Sequence, residues 1–529
     1  MGLAELPTEL YAAIISHFAP TDAQASLLAL SRAIPLSPVP LRTLFECICL
    51  RNPTQVPALH RRLRKSPEEA SCVRTLALQS WTVDADVFVN LLAELPDIRE
   101  LTLFIGPNFA PEHLEDLFRK PRPLLKYLSL RFRPYVQRAT YLQFMKGAYF
   151  DSTLLTLSRW PRAELPTISV IQDPIDASMV PTEKFAQPLV FFHLDPLTTL
   201  ATAPLTRTVS ALRLRVPGRN VARYIANPKL RGTPAVVLPR VELLDLATCA
   251  VSPAEAQELL AAFPRLRHVV LDGCAVLTQR ADALDAAGAE DYSQWAALGQ
   301  TLATAGLNAA RAREQKLQRW LETAAVIQEV QALQIAAVGD AGQPPPVVQA
   351  KKRGRNKLAM SPFKMREPSR PAESGLASGS RPSARPPVER IRVLPPVPTL
   401  HSLALTAPMI SRGNSDSDLE ARCNAARAAF ELGWAEGLST VTKKRSLIRT
   451  SWTNGVRVVR MVPLDTDADS EQEAEADGFA GLENVRDIED FSVRDERCPQ
   501  LCLAGPGSEG RHLVHCPHKV SWEAFKDEL

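Results

Sequence analysis

At 529 residues the chain exceeds what a single hydrophobic core holds, so two or more folded units joined by linkers are expected. Its 45% apolar content suits globular protein, whereas 44 prolines gathered into stretches mark inserts that cannot form a core. A net charge of only +4 excludes nucleic-acid or membrane binding driven by the field of the whole chain, and no 18-residue apolar run offers a spanning helix.

The first predicted element is a short helix with Pro7 at its start and Leu10, Ile14, Ile15 and Phe18 following at helical spacing. That apolar stripe is too large for so small an element to bury alone. Further apolar positions follow at Leu27, Leu28, Leu30 and Ala33, then at Leu44, Phe45, Ile48 and Leu50. The run Leu6-Pro7-Thr8-Glu9-Leu10, with Pro20 and Asp22 ending the first helix, resembles an F-box; Leu30-Ser31-Arg32-Ala33 departs from it where a Trp is common. The resemblance implies that Leu6, Pro7, Leu10, Ile14, Ile15, Phe18, Leu28 and Leu30 bind the Skp-family adaptor of a cullin ubiquitin ligase. The competing reading is a capped helix packed on its own domain.

Beyond residue 50 the runs LRKSPEEASCVRTLALQSWTVDADVFVNLLAELP, FIGPNFAPEHLEDLF and LKYLSLRFRPYVQ resemble the F-box proteins of basidiomycete fungi. An LxxLxL spacing recurs there, as in the strands of leucine-rich repeats. Its copies are Val73-Leu76-Leu78, Ile98-Leu101-Leu103, Leu125-Leu128-Leu130, Leu165-Ile168-Val170, Val209-Leu212-Leu214, Val241-Leu244-Leu246 and Leu266-Val269-Leu271. Their middle residues step by 25, 27, 40, 44, 32 and 25, so the repeats are irregular and carry insertions. Helices are expected between them, including Ala85 to Leu95 and Pro253 to Phe263, the latter opened by Ser252. Stacked strand-helix units build a solenoid with a parallel sheet on its concave wall, because each unit leaves an apolar face that only its neighbours cover. Cys249 and Cys274, each three residues past a final leucine-type position, read as core thiols.

Residues alternating with the leucines point away from that core. Among them Phe104, Tyr127, Arg131, Arg213 and Arg215 form the expected substrate-binding surface, since arginine beside exposed aromatics suits an acidic or phosphorylated target. A solvated sheet face is the plainer alternative for any one of them.

A long helix follows, with Leu317, Trp320, Leu321, Ala324 and Ile327 on one side, expected to pack on the end of the solenoid. Residues 341–394 are read as a disordered Pro-rich, basic insert. Within it Lys351 to Lys357 resembles a nuclear import signal, with nucleic-acid contact or a solvated charge run as rivals. Leu400-Leu403-Leu405 restores the repeat spacing, so the insert is read as a loop inside one domain. A helix from about Asp416 to Val441 and a strand at Val456-Arg457-Val458-Val459 come next, then an acidic tether over 464–496.

The C-terminal piece, 497–529, is read as a docking segment seated by Leu501, Leu503, Trp522 and Phe525. Zinc held by Cys498, Cys502, His512 and Cys516 is the alternative, although the spacing, with His515 and His518 nearby, matches no standard finger. No cofactor is expected. Gly505 to Gly510 satisfies GxGxxG by letter, but too little chain follows for a dinucleotide-binding unit. No P-loop, GxSxG or HExxH motif is present, so nothing in the sequence argues for an enzyme.

Nine cysteines, an odd number without framework spacing, fit reduced thiols inside a cell. Without a signal peptide, the terminal Lys526-Asp527-Glu528-Leu529 reads as a coincidental match to the retention signal of the endoplasmic reticulum. Cytoplasmic and/or nuclear location follows. The sequence therefore predicts an α/β protein: an F-box over 1–50, a leucine-rich-repeat-like solenoid over 51–340, its return over 395–463, and disordered loops between. The expected function is that of a noncatalytic substrate receptor, binding a Skp adaptor, through it a cullin, and an unknown target protein. The alternatives are an adaptor-binding scaffold outside ubiquitination, or a nuclear nucleic-acid-associated protein acting through its basic insert.

Overall fold

A computed structural model describes residues 6–18, 20–34, 41–133, 149–174, 189–226, 237–277, 292–339, 390–406, 416–462, 479, 481–493, 497–505 and 512–527. The basic cluster 351–357 and most of the GxGxxG match lie outside these residues. The chain divides into two units, Met1–Arg313 with Arg392–Leu529, and Glu314–Ile391. In the second unit the described residues are mainly the remainder of the helix Ala305–Gly339. Of its expected apolar stripe Leu317 is buried, whereas Ile327 is exposed.

Among the described residues the first unit is built on thirteen strands: β1 (Cys47–Leu50), β2 (Thr75–Leu78), β3 (Glu100–Ile105), β4 (Tyr127–Phe132), β5 (Thr167–Gln172), β6 (Ala211–Arg215), β7 (Leu243–Asp245), β8 (His268–Val270), β9 (Ile391–Leu394), β10 (Ser402–Ala404), β11 (Arg457–Met461), β12 (Leu482–Asn484) and β13 (Gln500–Cys502). Ten of them form one sheet in the order β1-β2-β3-β4-β5-β6-β7-β8-β10-β13, each parallel to its neighbour. Sequence order and spatial order coincide, so every strand leaves one side of the sheet and returns beside the last.

The LxxLxL residues explain this. All copies from Val73 to Leu271, together with Leu400, Leu403 and Leu405, are at most 4% exposed. They share one core with helix residues such as Phe88, Leu91, Leu92, Leu114 and Leu259. Two further copies of the spacing escaped the sequence reading. Phe45-Ile48-Leu50 starts the sheet, and Cys498-Leu501-Leu503 ends it. Cys47–Leu50 is therefore the first strand rather than the tail of a helical box.

Local signals hold the intervening helices. Asp84 accepts from the Val87 amide at 3.2 Å to open Ala85–Ala93, and Ser252 with Glu255 forms a capping box at the start of Pro253–Ala262. Helix Ser293–Ala303 crosses Asp416–Thr453 closely at glycines: a Cβ on Gly299 would meet the Phe430 carbonyl, and one on Gly433 the Ala296 carbonyl. Beside this pair a small sheet, β12-β11-β9, packs Leu394, Ile448, Val458, Val485 and Phe491 together. The buried Arg445 guanidinium ties it in, donating to the carbonyls of Pro395, Asp490 and Phe491. The expected acidic tether is thus structured from Gly481 to Val493, because Val485 and Phe491 find an apolar seat. Among the described residues no helix is long and apolar enough to cross a membrane.

Candidate functional site

Helix Thr8–Ser16 and helix Pro20–Ala33 enclose a small core of Tyr11, Ile15 and Leu27, flanked by Leu6, Phe18, Leu30 and Leu44. The expected adaptor-binding stripe splits accordingly. Ile15 is spent on this internal contact, and Leu6, Phe18 and Leu30 are half-buried in it. Leu10, Ile14 and Leu28 remain 49%, 40% and 39% exposed, and Pro7 is exposed as well. Leu10 and Ile14 sit one helical turn apart on the same side.

The outward face of the large sheet is not uniformly open. Helix Pro517–Phe525 lies across its later strands, with Phe525, Val520 and Ala524 packed on Ala211 and Leu243. Arg213 of β6 is 1% exposed. Its Nε donates to Asp245 at 2.9 Å, Nη1 to Asp527 at 2.8 Å, and Nη2 to Ser521 at 3.0 Å and to Asp527, while Phe525 stacks on the guanidinium at 4.0 Å. Asp245, opposite Arg213 in register, also accepts from Arg215 at 3.0 and 2.7 Å and from Ser521 at 3.0 Å. Burial alone would raise the Asp245 carboxyl; the two arginines outweigh it and hold it below the usual carboxylate range.

Tyr127 is buried too. Its hydroxyl donates to the Phe525 carbonyl at 2.5 Å, and burial pushes the phenol up to about 12. Lys526, in the left-handed conformation that ends the helix (φ 53°), pairs with Glu100 at 2.5 Å and lies over the Tyr127 ring. Half of the terminal tetrapeptide is thereby engaged by the sheet. Tyr127 and Arg213 are consequently no open substrate surface, and Arg215 is partly withdrawn: the chain's own C-terminal helix occupies them.

Phe104 and Arg131 do remain accessible. Trp81 stacks on Phe104 with centroids 4.6 Å apart, Arg131 lies 5.4 Å over Phe104, and Arg133 lies 5.7 Å over Trp81. Arg131 is steadied by Asp173 at 2.7 Å. Trp81 and Arg133 were missed in the sequence, although each extends its strand's outward alternation by one more step: Gln79 to Trp81, Arg131 to Arg133.

A second constellation sits where β13 ends. Ligand atoms of Cys502, His512, Cys516 and His518 all lie within 4.8 Å of one another. Cys498 does not join them. It holds the first position of the tenth LxxLxL copy and faces the main core, where burial pushes its thiol up to about 12, whereas Cys502 lies between Leu501 and Leu503 and points outward. His518 takes its place. Cys249 and Cys274 are elsewhere, their thiols donating to the carbonyls of Leu214 at 3.1 Å and Leu246 at 3.2 Å; burial pushes Cys249 up to about 12. Both are structural thiols.

A broad charged cleft borders Arg267, Arg460, Glu483 and Asp490, but its charges answer one another: Arg460 pairs with Glu483 and Asp490, each at 2.8 Å. Neither a protein-family model nor a curated protein matches this chain.

Proposed function

We propose that the chain is a noncatalytic substrate-recognition subunit of a Skp-cullin-F-box ubiquitin ligase, with the N-terminal helices docking on the adaptor and a leucine-rich-repeat-like sheet holding the target. The single observation that carries this reading is the exposure of Leu10, Ile14 and Leu28 on a helical pair that already has its own core. Leu10 and Ile14, one turn apart, and Leu28 on the second helix leave apolar surface uncovered on a helical pair whose own core is small, which supports a partner at this end. Burying what remains exposed of them contributes about 2 to 4 kcal/mol. That is less than the cost of association, so the interface extends over neighbouring half-buried groups such as Leu6, Phe18 and Leu30.

The target is held by Trp81, Phe104, Arg131 and Arg133, the accessible aromatic and arginine cluster of β2 to β4. This pairing favours acidic or phosphorylated segments. Contribution to the reaction is by proximity, raising the effective concentration of a substrate lysine near the charged conjugating enzyme. The experiment is co-purification with adaptor and cullin, comparing wild type with Leu10→Asp and Ile14→Asp. Loss of both partners with an unchanged melting profile is expected. Unaltered recovery in the double variant overturns the reading, and adaptor recovered without cullin marks a scaffold instead.

A further inference from the structure

We infer that Cys502, His512, Cys516 and His518 form a structural zinc site that staples the C-terminal helix to the edge of the large sheet. Two thiols and two imidazoles are the ligand set zinc favours, and four protein ligands leave no position open for chemistry. Tetrahedral zinc with about 2.3 Å to sulfur and 2.0 to 2.1 Å to nitrogen spaces its ligand atoms about 3.3 to 3.8 Å apart. Cys502 Sγ and His512 Nδ1 already lie 3.7 Å apart, and the widest separation is at most 4.8 Å. A contraction of about one ångström completes the tetrahedron.

An independent observation points to a ligand. His518 is 3% exposed, and its Nδ1 is buried without an oxygen or nitrogen partner among the described residues, while the ring interacts with the Cys502 thiol. An imidazole nitrogen left bare in such a place carries a desolvation cost that a metal removes. The other nitrogen, Nε2, sits 2.5 Å from Asp272 Oδ2. That carboxylate is in turn held by Thr406, whose hydroxyl donates to Oδ1 at 2.5 Å. Carboxylate to imidazole to metal is the arrangement that fixes the tautomer and orients a zinc-binding histidine, so Asp272 is a positioning residue. Cys502 and Cys516 are both fully buried, in a small apolar cluster with Ala247, Val270 and Ala404.

The ligands also come from parts that need joining. Cys502 ends β13, Cys516 caps the C-terminal helix, and His518 stands in its first turn. Metal binding thus adds directly to the docking of the helix that covers Arg213.

The test is made on the full chain, purified without metal-affinity steps, and does not depend on the adaptor reading. Elemental analysis should find about one zinc per chain, and after chelation cobalt(II) should titrate in at one equivalent with the visible bands and thiolate charge transfer of a tetrahedral sulfur-nitrogen site. Cys516→Ser should weaken zinc binding at least 100-fold in a chelator competition, Asp272→Asn by about 10- to 100-fold, and Cys498→Ser not at all. Folded wild-type protein that takes up neither zinc nor cobalt stoichiometrically overturns the inference. So does loss of metal from Cys498→Ser with retention in Cys516→Ser, or an octahedral cobalt spectrum. If a variant fails to fold, the wild-type cobalt titration still decides.

Discussion

Arg213→Ala should release the C-terminal helix while leaving the sheet beneath it intact. The side chain is the hub between β6, Asp245, Ser521, Asp527 and Phe525. Removing one partner from a buried ion pair costs about 3 to 5 kcal/mol when the other charge is left bare. Here Asp245 keeps Arg215, Ser521 and the Ala247 amide, and Asp527 is partly exposed and returns to water. The loss therefore falls near the lower limit, about 3 kcal/mol, and concentrates on docking because Leu212 and Leu214 of the same strand remain in the core. At 1.4 kcal/mol per decade, opening of the segment rises about 100-fold. Hydrogen exchange on the full chain should show amides of 517–525 losing about two decades of protection while those of 101–103 and 128–130 keep theirs. Arg213→Lys, which retains charge but not the planar fork, should fall between. Unchanged protection in 517–525 would refute the hub, and equal loss across the sheet would show that Arg213 supports the whole fold.

Tyr127 gives a pH signature for the same contact. Its phenol is pushed up to about 12, against about 10 in an unfolded chain, so its stabilisation is complete below pH 10 and is lost as pH rises through 12. Ultraviolet titration should show one tyrosinate ionising near 12 that is missing from Tyr127→Phe; identical curves would count against burial. Asp245 acts at the other end, its depressed carboxyl contributing stability above about pH 4 that disappears as pH falls further, so acid should loosen the C-terminal helix early in Tyr127→Phe. Gly433→Ala should lower stability by about 1 to 3 kcal/mol because the new Cβ meets the Ala296 carbonyl, despite a helix-propensity gain of about 1 kcal/mol; a raised melting temperature would deny the close crossing. Arg131→Glu combined with Arg133→Glu should reduce substrate capture at least 10-fold without affecting adaptor recovery, read by quantitative co-purification of stabilised targets. Equal capture would move the target surface elsewhere.

The α/β class and the parallel sheet were legible because one signal repeats: an apolar triplet whose members must all reach a shared core. The pattern survived irregular spacing, and Leu400-Leu403-Leu405 places β10 beside β8 across more than a hundred residues. What failed was recognition of the copies with an atypical member, Phe45 at one end and Cys498 at the other. Cys498 misled twice, hiding a strand and standing in for His518 in the Cys/His cluster that the structure brings together. Strand parity contained the correction, since residues flanking Leu501 and Leu503 must face away from the core that Cys498 joins. Occupation of Arg213 by Asp527 could not be read at all. The two are 314 positions apart, and an arginine on an outward position looks the same in sequence whether water or a helix covers it.

The covering helix divides the sheet face by charge as well as by shape. On β6 and β7 the cationic groups Arg213 and Arg215 are met by Asp245 and Asp527 from within the chain, so their field is spent internally. Beside β2 to β4, among the described residues, Asp173 pairs with Arg131, and Arg133 lies over the Trp81 ring. A cation resting on a ring remains available to an anionic partner, because the ring screens little and leaves the other side of the guanidinium accessible. The end of the sheet nearest the N-terminal helices is therefore where an acidic target gains most, and the far end is where the chain consolidates itself. The proposed adaptor surface and the proposed target surface then fall within the same amino-terminal 133 residues, on one continuous sheet whose later strands are consolidated by the C-terminal helix.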